Sequence, residues 1–234
     1  YSYIEIIKFF QNINNKIMNI AIIIPAFNPP ESFLSLLKTI STISKLTIII
    51  IDDGSFPEII IKNPEIIILR NKQNQGKGFS LLKAFNYAQE NGFTHAVTLD
   101  ADSQHDPKLI EMFLEVNENI SLVLGTRKFE KDMPYHRRIS NKLTSLIISF
   151  LSSETIQDSQ CGYRRYKLID ISSENFIETG FQFESEILIK LLRKKCSYHQ
   201  VGIPTIYGNE KSSINNIIDT LKFIRLILRS IIKY

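Results

Sequence analysis

The sequence predicts an α/β fold with a largely parallel sheet, and three observations predict it. Uninterrupted apolar runs recur at residues 19–24, 46–51 and 66–69. A strand with one wet face alternates apolar and polar residues, so runs without alternation read as strands covered on both faces. Helical patterns separate the runs, and each run closes on polar, turn-forming residues. In folds of this class ligands gather beyond the carboxyl ends of the strands.

The first run closes on Pro25-Ala26-Phe27-Asn28. Phe33, Leu34, Leu36, Leu37 and Ile40 then recur at helical spacing, which predicts a helix over 32–43. The second run closes on Asp52-Asp53-Gly54-Ser55, and the third leads into Asn74-Gln75-Gly76-Lys77-Gly78 before a second helical pattern over 79–90. A short apolar run around Ala96, Val97 and Leu99 ends in Asp100-Ala101-Asp102-Ser103-Gln104-His105. Two carboxylates one residue apart at a strand end repel each other unless a cation or a proton lies between them. Mg²⁺ or Mn²⁺, held by one or two carboxylates and completed by a diphosphate, is the usual resolution. Ordinary turn chemistry accounts for any one of these strand ends. Four in succession point to a site.

These motifs resemble, in order and spacing, those of the family-2 glycosyltransferases, and most closely the polyprenyl-phosphate (dolichyl-phosphate) glucose and mannose synthases. The similarity continues through Gly125-Thr126-Arg127, the pair Arg137-Arg138, Asp158-Ser159-Gln160-Cys161-Gly162-Tyr163-Arg164 and Phe183-Glu184-Ser185-Glu186, and runs from Met18 to about Ser213. The resemblance implies a GT-A fold with a mixed, mostly parallel sheet, occupying residues 18–213. It implies that Asp102 and Gln104 ligate the metal with the donor diphosphate, and that Asp100 lies close to the metal or the donor ribose. It also implies that Pro25, Phe27, Asn28 and Asp53 line the pocket for base and ribose, with Lys77 nearby. Many relatives carry an acidic residue directly after the asparagine, whereas Pro29 and Pro30 intervene here before Glu31. His105 reads as a supporting histidine rather than a ligand.

Acceptor chemistry separates the family's branches. A sugar hydroxyl needs a general base, whereas a lipid phosphate is already an anionic nucleophile and needs cationic positioning groups. Arg127, Arg137, Arg138, Arg164, Arg165 and Lys211 are available downstream of the metal motif, and guanidinium forks suit phosphate oxygens. Arg127 and Arg164 lead among them. Glu184 reads either as a carboxylate that orients an arginine or as a helix N-terminal acid favoured by the macrodipole. The chain has no tryptophan, so the Gln-x-x-Arg-Trp motif of processive polysaccharide synthases is missing. The Asp-Ser-Gln-Cys-Gly form resembles that of the glucose-type synthases more than that of the mannose-type ones, a resemblance that implies UDP-glucose ahead of GDP-mannose as donor. Transfer to a sugar hydroxyl of a cell-surface glycan is the second enzymatic reading. A nucleotide-sugar-binding partner subunit is the non-enzymatic one, and the intact Asp100, Asp102 and Gln104 speak against it.

Composition and charge fit this reading. The chain has 234 residues, enough for one sizeable core, and a net charge of +4, which suits anionic small molecules and surfaces better than nucleic acid. Its two cysteines, Cys161 and Cys196, lack metal-ligand spacing and read as reduced, as in a cytoplasmic compartment. No run reaches the roughly 18 apolar residues of a spanning helix. Residues 1–17 read as an N-terminal extension outside the family-like sequence, either a genuine N-terminal helix or, the favoured reading, upstream sequence that is not native to the protein. Residues 214–234 combine a broad apolar face with Lys222, Arg225, Arg229 and Lys233 at helical spacing, the pattern of a helix lying in a membrane interface. Residues 139–151 are similarly apolar. The expected placement is peripheral, at the cytoplasmic face of a membrane, which leaves room for a membrane-protein partner.

Overall fold

A computed structural model describes residues 18–127, 135–204 and 216–233. Its centre is a seven-stranded sheet of β1 (Ile20–Ala26), β2 (Thr47–Asp52), β3 (Ile66–Arg70), β4 (His95–Thr98), β5 (Leu122–Arg127), β6 (Arg164–Lys167) and β7 (Tyr198–Ile203). The strand order is β3-β2-β1-β4-β6-β5-β7. β1, β2, β3 and β4 pair in parallel, as do β5 and β7, while β6 runs antiparallel between β4 and β5. The sheet is therefore mixed and mostly parallel. Because β6 is reversed, its first residue, Arg164, pairs with Thr98 at the edge where the parallel strands end.

The apolar runs follow from two cores, one on each face. Ala21, Ile23, Ile49 and Ile51 pack on one side with α2 (Lys77–Glu90), α4 (Tyr135–Ser152), α6 (Phe183–Arg193) and Leu226 of α7 (Asn216–Lys233). Ile20, Ile22, Ile24, Ile48 and Ile50 pack on the other with α1 (Ser32–Ile43), a 3₁₀ turn (Pro107–Leu109) and α3 (Ile110–Leu114). Period-2 alternation is present, but both phases are apolar, so it is invisible in composition. The remaining short helix is α5 (Leu168–Ser172).

Helix α1 coincides with the expected span. Helix α2 begins two residues earlier than expected, at Lys77, because Gly76 reverses the chain at φ 97° and the helix starts directly after it. Helices α4 and α7 each have a core face. In α7, Leu226 and Ser230 are buried, the Arg229 guanidinium pairs with Glu178 (2.9 Å) and Glu186 (3.2 Å), and Arg193 Nη1 donates to the Ser230 carbonyl at 2.7 Å. Arg229 is thus withdrawn from the expected basic stripe, which keeps the exposed Lys222 and Arg225. The opposite faces carry large exposed apolar side chains: Ile139, Leu143, Leu146 and Phe150 of α4, and Leu221, Ile224, Leu228, Ile231 and Ile232 of α7. No helix among the described residues is long and apolar enough to cross a membrane.

Two buried histidines make the fold pH-sensitive. The His95 ring bridges Thr94 Oγ1 and the Glu118 carbonyl, each at 2.9 Å, and burial lowers its pKa; burial lowers that of His105 as well. A histidine depressed in the folded state takes up its proton first in the unfolded state, so stability falls as pH drops below about 6.5. Urea unfolding between pH 7.5 and 5.5 should show this loss, and His95→Gln should reduce the slope. A flat profile in the parent protein would contradict it.

Candidate active site

The carboxyl edge of the sheet collects the polar residues, and the switch point between β1 and β4 opens it: β1 connects onward to β2 on one side, while β4 lies on the other. Asp52 ends β2 and Asp53 follows it, and both are buried. Asp52 accepts from Ser55 N (2.8 Å) and Ile59 N (3.2 Å) and pairs with Arg70. Asp53 accepts from Gln75 N (2.9 Å), Gly76 N (2.9 Å) and Asn71 Nδ2 (2.7 Å). Its carboxylate therefore holds the loop that delivers Lys77. Asn28, at φ 45°, ties the first strand end to the second by receiving Phe56 N on Oδ1 at 2.9 Å and donating its own N–H to Ser55 Oγ at 2.9 Å. Phe27 is half exposed beside it and Pro25 is half-buried in β1.

Lys77 is the electrostatic centre. Its Nζ lies 2.7 Å from Asp100 Oδ1 and 2.7 Å from Glu184 Oε2. Burial disfavours the ammonium, but the two carboxylates outweigh burial and hold its pKa above the ordinary range. Burial pushes the Asp100 carboxyl up, and Lys77, followed by His105 and Arg127, pulls it down to about 2. His105 is buried behind the turn, with Nδ1 accepting from Asp100 N at 3.3 Å and Nε2 3.9 Å from Cys161 Sγ. Burial raises the Cys161 thiol to about 12, which keeps it protonated and inert.

Asp102 and Gln104 lie on the same half-buried turn, where Asp102 Oδ1 accepts from Gln104 N at 3.0 Å. Among the described residues no three His, Cys, Asp or Glu side chains converge as a closed metal centre. The donor set of two carboxylates and a carboxamide is all oxygen and partly open to solvent. It fits a hard cation that retains positions for water and phosphate.

Arg127, at the end of β5, is gripped by the buried Asp158: Nε donates at 2.7 Å, Nη2 at 3.1 Å and the backbone N at 3.3 Å. Such a fork fixes the plane of the guanidinium. Arg164 is placed differently. It is 1 % exposed and donates to the carbonyls of Cys161 (2.7 Å), Ser159 (2.7 Å) and Glu184 (3.0 Å). Its donors fasten the Asp158–Gly162 loop and the start of α6. Arg137 and Arg138 are half-buried in the first turn of α4, and Lys211 lies outside the described residues.

Two partnerships went unseen in the sequence. Glu184 meets a lysine rather than an arginine, and Asp158 orients Arg127. A signal for the first was present: a lysine at the first position of a helix opposes the macrodipole and needs nearby acids. Gly162 is the other hidden contact. A Cβ there would lie 2.5 Å from Asp100 Oδ2, so only glycine lets this loop close on the carboxylate.

The model of the family Glycosyl transferase family 2 matches residues 21–190. The chain is 29 % identical over 215 residues to the UDP-N-acetylglucosamine–dolichyl-phosphate N-acetylglucosaminyltransferase of Methanococcus voltae, covering 80 % of this chain and 86 % of that one. It is 24 % identical over 192 residues to the undecaprenyl-phosphate mannosyltransferase of Micrococcus luteus, covering 75 % and 79 %. Among solved structures, glucosyl-3-phosphoglycerate synthase from Mycobacterium tuberculosis, in complex with Mn²⁺, UDP and phosphoglyceric acid, superposes with a TM-score of 0.67 at 17 % identity, covering 92 % of this chain and 78 % of that one; the likeness is one of fold.

Gly162→Ala should displace Asp100 and cost about 1–3 kcal/mol of stability, the range for overpacking. Transfer should fall much further than stability. Equal stability and turnover in the variant, by urea melt and steady-state assay, would show that the loop relaxes without Asp100. With the strand-end motifs now in place on a mixed seven-stranded sheet, and the family model covering residues 21–190, the chain belongs to the family-2 glycosyltransferases and is a transferase enzyme.

Proposed function

We propose that this enzyme moves a hexose from a nucleotide sugar to a polyprenyl phosphate at a membrane surface, with inversion and with the help of Mg²⁺ or Mn²⁺. The observation that carries the reading is the charge arrangement at the strand ends. Asp100, Asp102 and Gln104 offer oxygen ligands on one turn, Lys77 stands 2.7 Å from Asp100, and Arg127 is locked in plane at the next strand end. Relatives that use dolichyl and undecaprenyl phosphates support the acceptor class, and the Methanococcus voltae relative is named for a UDP-sugar donor.

Transfer joins an acceptor phosphate oxygen to the anomeric carbon and breaks that carbon's bond to the donor diphosphate, so negative charge accumulates on the leaving group. A divalent cation held by Asp102 and Gln104, with Asp100 alongside, would supply Lewis-acid stabilisation of that charge. Lys77 adds a second cation on the donor side, at the start of α2. Phe27, Asn28 and Pro25 border the space for base and ribose, while Asp53 acts by holding the Gln75-Gly76 loop. The acceptor phosphate is ionised at neutral pH and needs no base. Arg127, with Arg137 and Arg138 at the start of α4, supplies the cationic approach for it.

The exposed apolar faces of α4 and α7 support a peripheral membrane position. Phe150 is 81 % and Ile232 80 % exposed, and the exposed Lys222 and Arg225 suit anionic headgroups. UDP-glucose is the preferred donor and GDP-mannose the second.

A screen of UDP- and GDP-sugars with a short-chain polyprenyl phosphate, following lipid-extractable label, tests the reaction. Asp102→Asn should lower turnover by several orders of magnitude while leaving the melting temperature close to the parent's, and chelator should do the same to the unmodified enzyme. Full activity in excess chelator would remove the cation from the reading. Serine at Leu146, Phe150, Leu228 and Ile232 together should release the protein from anionic vesicles and lower transfer to vesicle-embedded acceptor. Transfer to a detergent-soluble acceptor should be spared. A parent protein that fails to sediment with such vesicles at low salt would defeat the membrane assignment.

A further inference from the structure

Glu184 has no part in the reading above, yet it is among the most constrained groups at the site. It is 8 % exposed in the first turn of α6. Its Oε2 meets Lys77 at 2.7 Å, and its buried Oε1 has no hydrogen-bond partner among the described residues. A buried carboxylate with one idle oxygen is costly unless a cation stays beside it. The cation is Lys77, whose ammonium has three hydrogens to donate and directs two contacts to carboxylates.

Asp100 and Glu184 are not equivalent partners. Asp100 sits on the turn with Asp102 and Gln104 and is 30 % exposed at its side chain, whereas Glu184 faces Lys77 at 11 %. A divalent cation arriving at the turn competes with the ammonium for Asp100, because two cations cannot share the same oxygens without repulsion. Nothing on the turn competes for Glu184. Lys77 is also the first residue of α2, so its backbone is fixed by the helix and by the Asp53 clamp on Gln75 and Gly76. Its side chain is free to exchange only what lies at its tip.

We propose that Lys77 is an exchangeable internal counter-ion: in the empty enzyme it neutralises Asp100, and when a divalent cation takes Asp100 the ammonium stays anchored on Glu184 and turns its released donor to the incoming diphosphate. Glu184 is then a positioning residue that acts through Lys77 and makes cation and donor binding mutually reinforcing. The inference rests on the placement of the cation at Asp100 and Asp102 in the proposed function.

The experiment titrates the metal-free full chain with Mn²⁺ alone, read by the electron paramagnetic resonance of free Mn²⁺. It then titrates UDP and GDP calorimetrically with Mn²⁺ present. In Lys77→Met the competitor is gone, so Mn²⁺ alone should bind more tightly by at least about fivefold, the low end of site-to-site coupling, while the nucleotide binds more weakly by a similar factor. In Glu184→Gln the ammonium leans on Asp100 alone, so Mn²⁺ alone should bind more weakly. A merely structural role would weaken Mn²⁺ binding in both variants, and that shared direction, or unchanged Mn²⁺ affinity in both, overturns the proposal. Lys77→Met/Glu184→Gln, which removes the buried Glu184 charge together with its partner, guards against misfolding of the single variant and should also bind Mn²⁺ more tightly than the parent. If the parent protein binds no Mn²⁺ with or without nucleotide, the cation reading itself falls and takes this proposal with it; if the parent binds and the variants match it, only the exchange falls.

Discussion

A sheet buried on both faces can present polar chemistry only at its ends, and that constraint governs the rest of this molecule. Isoleucines occupy both phases of β1 and β2, so nothing charged fits along either strand. Each strand instead delivers its first polar residues at the carboxyl edge: Asn28 after β1, Asp52 and Asp53 at β2, Asp100 after β4, and Arg127 at β5. The reversed β6 completes the set, because its beginning rather than its end lies at that edge. Reversal brings the Asp158–Gly162 loop against Asp100, closely enough that Gly162 has no room for a side chain.

Carboxylates and guanidiniums placed there need partners, and many of the partners are backbone. Asp53 takes two loop amides, while Arg164 serves three carbonyls. Arg165, 0 % exposed, gives its donors to the carbonyls of Phe113, Val116 and Asn117 at 2.6–2.8 Å, which fixes the end of α3 against the sheet. A buried guanidinium whose two terminal nitrogens reach carbonyls stabilises a loop that has no regular hydrogen-bond ladder of its own. Burial lowers the pKa of Arg165 to about 10, which still leaves it charged at neutral pH. The neighbouring arginines of β6 are therefore both fasteners, one for the site loop and one for α3.

The sequence carried the strand-end motifs and the two-sided burial openly, because both depend on residue type at fixed local spacing. Helix α1 was legible to the residue for the same reason. Pairings across the sheet were not. Arg127 and Asp158 lie 31 positions apart and Lys77 and Glu184 lie 107 apart, and only the fold brings them together. The carbonyl partners of Arg164 were hidden for the same reason, since an arginine in a motif looks the same whether it greets a ligand or fastens a loop. The stripe in α7 hid its partners in the same way. Helical spacing put Lys222, Arg225 and Arg229 on one side, but the tip of a long side chain follows its partners, and Glu178 with Glu186 draws Arg229 inward.

Helix α6 connects these findings. Glu184 and Glu186 are two residues apart in its first turn and point to different neighbours. The former holds Lys77 beside Asp100, and the latter holds Arg229 of α7 and Lys190 (3.0 Å) while accepting the amides of Ile177 (3.0 Å) and Glu178 (2.8 Å). Helix α4 packs against the same α6, and α7 against α4. The two helices with exposed apolar faces are thus mounted, one directly and the other also through the Arg229–Glu186 pair, on the helix whose Glu184 meets Lys77. On the proposed function the acceptor is a lipid phosphate with an insoluble tail and a headgroup bound for the strand ends, and such a reaction needs the apolar surface and the charged site in fixed register. Buried ion pairs are well suited to fixing such a register, since their geometry tolerates little slack even where their net contribution to stability is small.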